Sequence, residues 1–121
     1  MPLPTATQMQ TYIATARHRQ QQRQAMLQER RTQGLAVAHI AAQILREEFG
    51  VGRVVLFGSV LSETDFHETS DLDLAIWDLP ASVYFQAVAR LMEFPEFEID
   101  LVEAEAASPH LQAGIEQGIE L

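Results

Sequence analysis

The 121-residue chain contains no cysteine and no lysine, and its few charged residues are mostly acids: 17 Asp and Glu against 8 arginines. Without cysteine there can be no disulfide, no zinc-thiolate site and no thiol chemistry, and nothing ties the fold to an oxidising compartment. Long apolar runs are missing too. No stretch approaches the ~18 apolar residues of a membrane span, and the opening "MPLPTATQMQ" has no basic start followed by an apolar core. The expectation is a cytoplasmic protein with no membrane partner. The length suits one ordinary domain, and 47% hydrophobic residues with 21% charged suits a packed core.

The net charge of −9 is unevenly spread. Residues 1–33 carry five arginines against one glutamate, whereas residues 34–121 carry three against sixteen acids. Such a body repels phosphate backbones, which argues against direct nucleic-acid binding and for a basic protein partner or a divalent metal.

Residues 5–33 lack Pro and Gly and are rich in helix formers. From Arg17 onward Ala25, Met26 and Leu27 are almost the only apolar residues, so this reads as a helical arm with a wet surface. Met9, Tyr12, Ile13 and Ala16 form a short apolar patch at helical spacing, suited to a partner or a second copy; the alternative is a solvated, partly frayed arm. In residues 35–49, Val37, Ile40, Ala41, Ile44 and Leu45 recur at three- and four-residue steps, and Gly50 stands where a C-cap glycine belongs. His39, inside that helix, reads as a core or boundary residue rather than a metal ligand.

"RVVLF" at 53–57 reads as a buried strand, and "DLDLAIW" at 71–77 alternates as a second. Asp78 and Pro80 mark a helix start, with one apolar face of Val83, Ala87, Val88, Leu91 and Met92 running to about Phe94. "FEIDLVE" at 97–103 alternates as a third strand. Ser108 and Pro109 then open a helix with Leu111, Ile115 and Ile119 on one side. The fold class is α+β, a small mixed sheet of about three strands packed with helices, organised as an arm (1–33) and a body (34–121).

Chemistry concentrates after the first strand. Asp71 and Asp73 lie two apart in a strand and so share a face roughly 6.6 Å apart, while Leu72, Leu74 and Ile76 anchor the opposite face. Two ionised carboxylates that close repel unless a cation intervenes, and an all-oxygen donor set suits magnesium. Asp100, between Ile99 and Leu101, projects away from their core face and joins the pair if the second and third strands are neighbours. Gly58 and Ser59, directly after the first strand, form a turn where a phosphate can approach backbone amides and the Ser59 hydroxyl. A phosphate cradle beside a carboxylate cluster holding two metal ions is what in-line attack on a nucleotide phosphorus requires.

Gly-Ser, a loop, Asp-x-Asp and a later strand aspartate, in "FGSVLSETDFHETSDLDLAIW" and "FEIDLV", resemble the minimal nucleotidyltransferase (MNT) domain of the DNA polymerase beta superfamily over about residues 35–121. The resemblance implies a nucleotidyltransferase fold in which Gly58 and Ser59 hold the triphosphate of ATP. It implies that Asp71 and Asp73 bind two Mg2+ ions, and that Asp100 completes the catalytic metal site and helps deprotonate the acceptor hydroxyl. Small stand-alone members are typically antitoxins paired with a HEPN-domain ribonuclease toxin, and some transfer AMP to a tyrosine of it. One departure is that relatives often carry Arg-Gly shortly after Gly-Ser, where this chain has Leu61, Ser62 and Glu63. Outside the arm only Arg46, Arg53 and Arg90 remain to offset nucleotide charge.

Other polar residues read more plainly. Glu63, Asp65, His67 and Glu68 belong to a solvated loop surface, and Trp77 is a packed strand-end aromatic rather than a base-stacking one. The leading expectation is an AMP-transferring antitoxin that acts on a HEPN-type toxin. The alternative is a non-catalytic module that masks a basic toxin stoichiometrically. Transfer to a small molecule ranks last, because relatives of that kind add a C-terminal helical domain. A homo- or hetero-oligomer is expected from the free sheet edge and the apolar patch of the arm.

Overall fold

The computed structural model describes residues 2–121. One 44-residue helix, α1 (Ala6–Phe49), opens the chain, followed by β1 (Arg53–Phe57), β2 (Leu72–Trp77), α2 (Tyr84–Leu91), β3 (Ile99–Glu103), α3 (Pro109–Glu116) and β4 (Ile119–Glu120). The two helical segments read from the sequence are thus continuous. With neither Pro nor Gly from 5 to 33, and Gly34 tolerated within the helix, nothing interrupts the backbone hydrogen bonds before Gly50 caps the end in the left-handed region (φ 69°). At the other end Thr5 and Gln8 form a reciprocal capping box.

The strands form one mixed sheet in the order β3-β2-β1-β4. β1 runs antiparallel to β2 and β4, and β2 runs parallel to β3. The parallel pair is what a β-α-β passage through α2 allows. On one side of the sheet Val54, Leu56, Leu72, Leu74, Ile76 and Leu101 pack against Ala38, Ala41, Ala42 and Leu45 of α1 and Ala87 and Leu91 of α2. A smaller cluster on the other side joins Val55, Phe57 and Ala75 to Ala104 and Ile115. At about 1.5–3 kcal/mol for each large side chain taken from water, the first cluster dominates folding.

Two elements differ from the sequence reading. α2 begins at Tyr84, four residues later than Pro80, because a single 3-10 turn (Ala81–Val83) comes first. The final helix does not reach Ile119. It stops at Glu116, and Gly118 lies so close to β1 that a Cβ there would stand 2.4 Å from Val55 Cγ1 and 2.6 Å from the Leu56 carbonyl oxygen. That approach lets Ile119–Glu120 pair with Val55 and Leu56 as the fourth strand. Arg53 pairs with Glu120, and Arg46 donates to the Leu121 carbonyl, tying the strand down. Among the described residues no helix is long and apolar enough to cross a membrane.

Candidate active site

β2 sorts its side chains by the alternation of a pleated strand. Leu72, Leu74 and Ile76 are buried in the main core, while Asp73, Ala75 and Trp77 face the other way. β3 lies beside it in register, Leu72 opposite Ile99, Asp73 opposite Asp100 and Leu74 opposite Leu101. Strands so paired are about 4.8 Å apart, so Asp73 and Asp100 stand side by side on the face opposite the main core. On the other flank Asp73 is opposite Phe57, the last residue of β1. Asp71 sits one position before β2 begins, at its mouth.

Gly58 closes this row from above. Its backbone (φ 88°, ψ −157°) is one that only glycine adopts readily, and a Cβ there would sit 2.2 Å from Asp73 Oδ2. The carboxylate therefore rests against bare backbone. Ser59, half-buried, then begins a 3-10 turn to Leu61. Arg31 of α1 donates from Nε to the Val60 carbonyl (2.6 Å) and holds the turn from below.

The electrostatics of the row are unbalanced. Burial, then the charges of Asp100 and Asp71, and a hydrogen bond with Asp100, push the Asp73 carboxyl from its ordinary 3.8 up to about 6. Among the described residues the ion pairs join Arg31 to Glu63, Arg53 to Glu120, and Arg90 to Glu48 and Glu93, and none reaches these aspartates. Arg46, Arg53 and Arg90 are all engaged elsewhere. Adjacent carboxylates outside every ion pair among the described residues, all-oxygen in donor type, fit a hard divalent ion. Among the described residues, however, no three acidic or histidine side chains stand at metal-holding spacing. Asp73 and Asp100 form the close pair, and Asp71, just before β2, acts on Asp73 through its charge.

Two cavities meet at Asp100. One, of about 440 Å³, is lined by Phe57, Asp73, Tyr84, Asp100 and Leu111. The other, about 660 Å³, is lined by Arg30, Ser70, Asp71, Met92 and Asp100 among others. Tyr84 is fixed at the first by donating its hydroxyl to the Leu101 carbonyl (2.9 Å).

Arg30 is the residue the sequence reading overlooked. Assigned to the arm, it instead lies over the Phe97 ring (4.2 Å), donates to the Glu96 carbonyl (3.3 Å) and keeps a buried Nε without a partner. It is the cation lining the larger cavity, whose walls also include Asp71 and Asp100. A signal was present. Stepping the buried stripe Leu45, Ala41, Ala38 back through Gly34 at helical spacing lands on Arg30.

The remaining candidates fall away from the site. Trp77 packs beneath Arg53 (4.3 Å from guanidinium to ring) and against the small core, as read. Glu63, Asp65, His67 and Glu68 are exposed loop residues. His39 is fully on the outside of α1, not at the core boundary, because the stripe that packs is Ala38, Ala41, Ala42 and Leu45.

Residues 40–121 match the family model described as polymerase beta, nucleotidyltransferase. No curated protein matches the sequence significantly. Among solved structures, a chain of a toxin-antitoxin complex with AMP-PNP is 25% identical, with 65% of this chain and 67% of that one covered at a TM-score of 0.54. A chain from the complex of tri-AMPylated Shewanella oneidensis HEPN toxin with MNT antitoxin is 21% identical over 72% and 70% of the two chains, also at 0.54. A chain of the toxin-antitoxin pair MntA-HepT is 20% identical over 71% and 69%, at 0.53. The last two likenesses bear on the fold.

Proposed function

The chain belongs to the polymerase beta nucleotidyltransferase family, and from that premise we propose that it is the antitoxin of a HEPN-type ribonuclease toxin, silencing it by transferring AMP from ATP to a toxin hydroxyl. The observation that carries this reading is the in-register pair of Asp73 and Asp100 with Gly58 pressed against it. The complexes with AMP-PNP and with a tri-AMPylated toxin among the structural neighbours support the donor and the acceptor class. A cytoplasmic setting accords with both.

In this reading residues 34–121 form the catalytic unit and residues 1–33 an appended arm whose last turn, through Arg30 and Arg31, packs on that unit. The amides of Gly58 and Ser59 and the Ser59 hydroxyl receive the triphosphate, and Gly58 is needed because any side chain would meet Asp73 first. Asp71, Asp73 and Asp100 would hold the Mg2+ ions. Bound there, the ions would offset the carboxylate charge, lower the acceptor hydroxyl's pKa and steady the departing pyrophosphate. The acceptor oxygen, preferably a tyrosine hydroxyl, bonds to the α-phosphorus as the α–β bridge breaks. Pyrophosphate leaves with the bridging electrons, and the hydroxyl proton passes to Asp100, the most exposed of the three carboxylates.

The test is direct. Incubated with the HEPN-type partner, ATP and magnesium, the chain is expected to add adenylyl mass to the toxin and abolish its ribonuclease activity. An Asp71→Asn, Asp73→Asn double variant is expected to add none. A second reading, stoichiometric masking of a basic toxin by the acidic body, draws on the sixteen acids of residues 34–121. It expects the double variant still to neutralise the toxin and to lose that ability as salt rises.

A further inference from the structure

Every described residue from Pro2 to Met26 is exposed, yet this stretch is built as a helix, with a complete capping box at its start. At 1.5 Å per residue, residues 6–26 make a helical segment about 30 Å long. In proteins most helical stability comes from packing one face against other structure, so this bare surface calls for a partner. One stripe of it is distinctive. Tyr12, Ala16, Arg19, Arg23 and Met26 recur at alternating steps of four and three, which keeps them on one side of the helix. Met9 and Ile13 flank Tyr12, and all three are exposed apolar residues. The first 28 residues contain no acid, and Arg17, Arg19 and Arg23 have no ion-pair partner among the described residues.

The body presents the complement. Phe85 of α2 and Met92, the residue that caps it seven positions on, are 81% and 76% exposed. Glu93, Glu96 and Glu98 follow, all exposed. α1 cannot bring its own arm onto this surface, since it runs unbroken from Ala6 to Phe49 and leads the arm away. Two arms laid together would set arginine against arginine. A polyanion would meet the repulsion of a body with sixteen acids.

We propose that the arm seats on the α2 face of a second copy of this chain, each copy lending its arm to the other. Tyr12 and Ile13 cover Phe85 and Met92, and Arg19 and Arg23 reach Glu96 and Glu98. Reciprocal exchange doubles the buried area toward the roughly 1,200 Å² or more of a stable interface.

Sedimentation velocity on the full chain tests this without ATP or toxin. A dimer is expected at low salt, dissociating as salt rises. Arg19→Glu and Arg23→Glu together are expected to weaken it at least about tenfold with helix content by circular dichroism unchanged. Mixing that variant with a Glu96→Arg, Glu98→Arg chain is expected to restore a dimer between the two. Because the chain lacks cysteine, Tyr12→Cys mixed with Met92→Cys should give a mixed disulfide in preference to either self-disulfide. A monomer under all conditions, a dimer indifferent to the charge reversals, or a Tyr12→Cys self-disulfide that outcompetes the mixed one overturns the proposal.

Discussion

Leu72, Leu74 and Ile76 leave almost nothing of themselves to solvent, whereas Asp73, on the same strand, holds a half-exposed carboxylate beside Asp100. The two faces of β2 follow opposite rules. The apolar face gains from every neighbour it touches, and the acidic face loses from each carboxylate brought near it, since burial and like charge both oppose ionisation there. The pairing teaches where this small protein keeps its stability and where it keeps its chemistry: in the same six residues, divided by the pleat. The rigid apolar side fixes the direction in which the acidic side points.

The sharpest way to separate the faces is to change one residue on each. Asp73→Asn is expected to lower AMP transfer by at least about a thousandfold, within the range of an essential metal-holding or acid-base group. It is also expected to leave urea-denaturation stability at neutral pH equal or higher, because it removes an uncompensated charge. Leu74→Ala should do the reverse. Deleting a fully buried leucine costs about 2–5 kcal/mol, a large share of a small domain's total, while turnover per folded molecule stays near normal. Should the asparagine variant prove strongly destabilised, the division of labour between the faces is wrong.

Gly58→Ala couples the two faces and is expected to have an intermediate effect. Its backbone conformation costs a residue with a Cβ about 1–3 kcal/mol, and the new methyl must displace the Asp73 carboxylate that now occupies its place. A displacement of that kind lowers transfer by about a hundredfold. Ser59→Ala, which adds no atoms, should cost less in both assays. Equal stability for the two variants would show that the close approach of Gly58 to Asp73 is dispensable.

The apolar face was the easier of the two to read from sequence. Alternation fixes which residues of 53–57, 72–77 and 99–103 point inward, so both faces of β2 and the placement of Asp100 opposite the core followed from local pattern alone. What escaped was set by distant packing. The last strand depends on Gly118 nesting against Val55 and Leu56, sixty residues away, and Ile119 carries the same apolar letter in a helix or a strand. Arg30 escaped because a charged residue reads as solvent-facing, whereas its guanidinium is covered by Phe97 and Glu96, which arrive only when β3 is laid down. The register of Asp73 with Asp100 likewise belongs to the sheet and to no single strand.

The smallest effect expected is also the one that isolates the acidic face in the absence of substrate. Between about pH 4 and 6 the folded chain retains on Asp73 a proton that the unfolded chain, titrating near the ordinary 3.8, has already released. Folding therefore binds protons in that window, stability falls as pH rises through it, and the full penalty is present above the folded value of about 6. Solvent screens a half-exposed carboxylate, so the consequence is a drop of a few degrees in Tm from pH 5 to pH 7.5, measured as the excess over the same scan of Asp73→Asn. Magnesium is expected to recover that excess at pH 7.5, where the carboxylate is ionised, and to have little effect at pH 5, where protons occupy it. Identical pH profiles for the two proteins would mean that the neighbouring acids do not strain Asp73, and a magnesium response as large at pH 5 as at pH 7.5 would place the ion somewhere other than beside it.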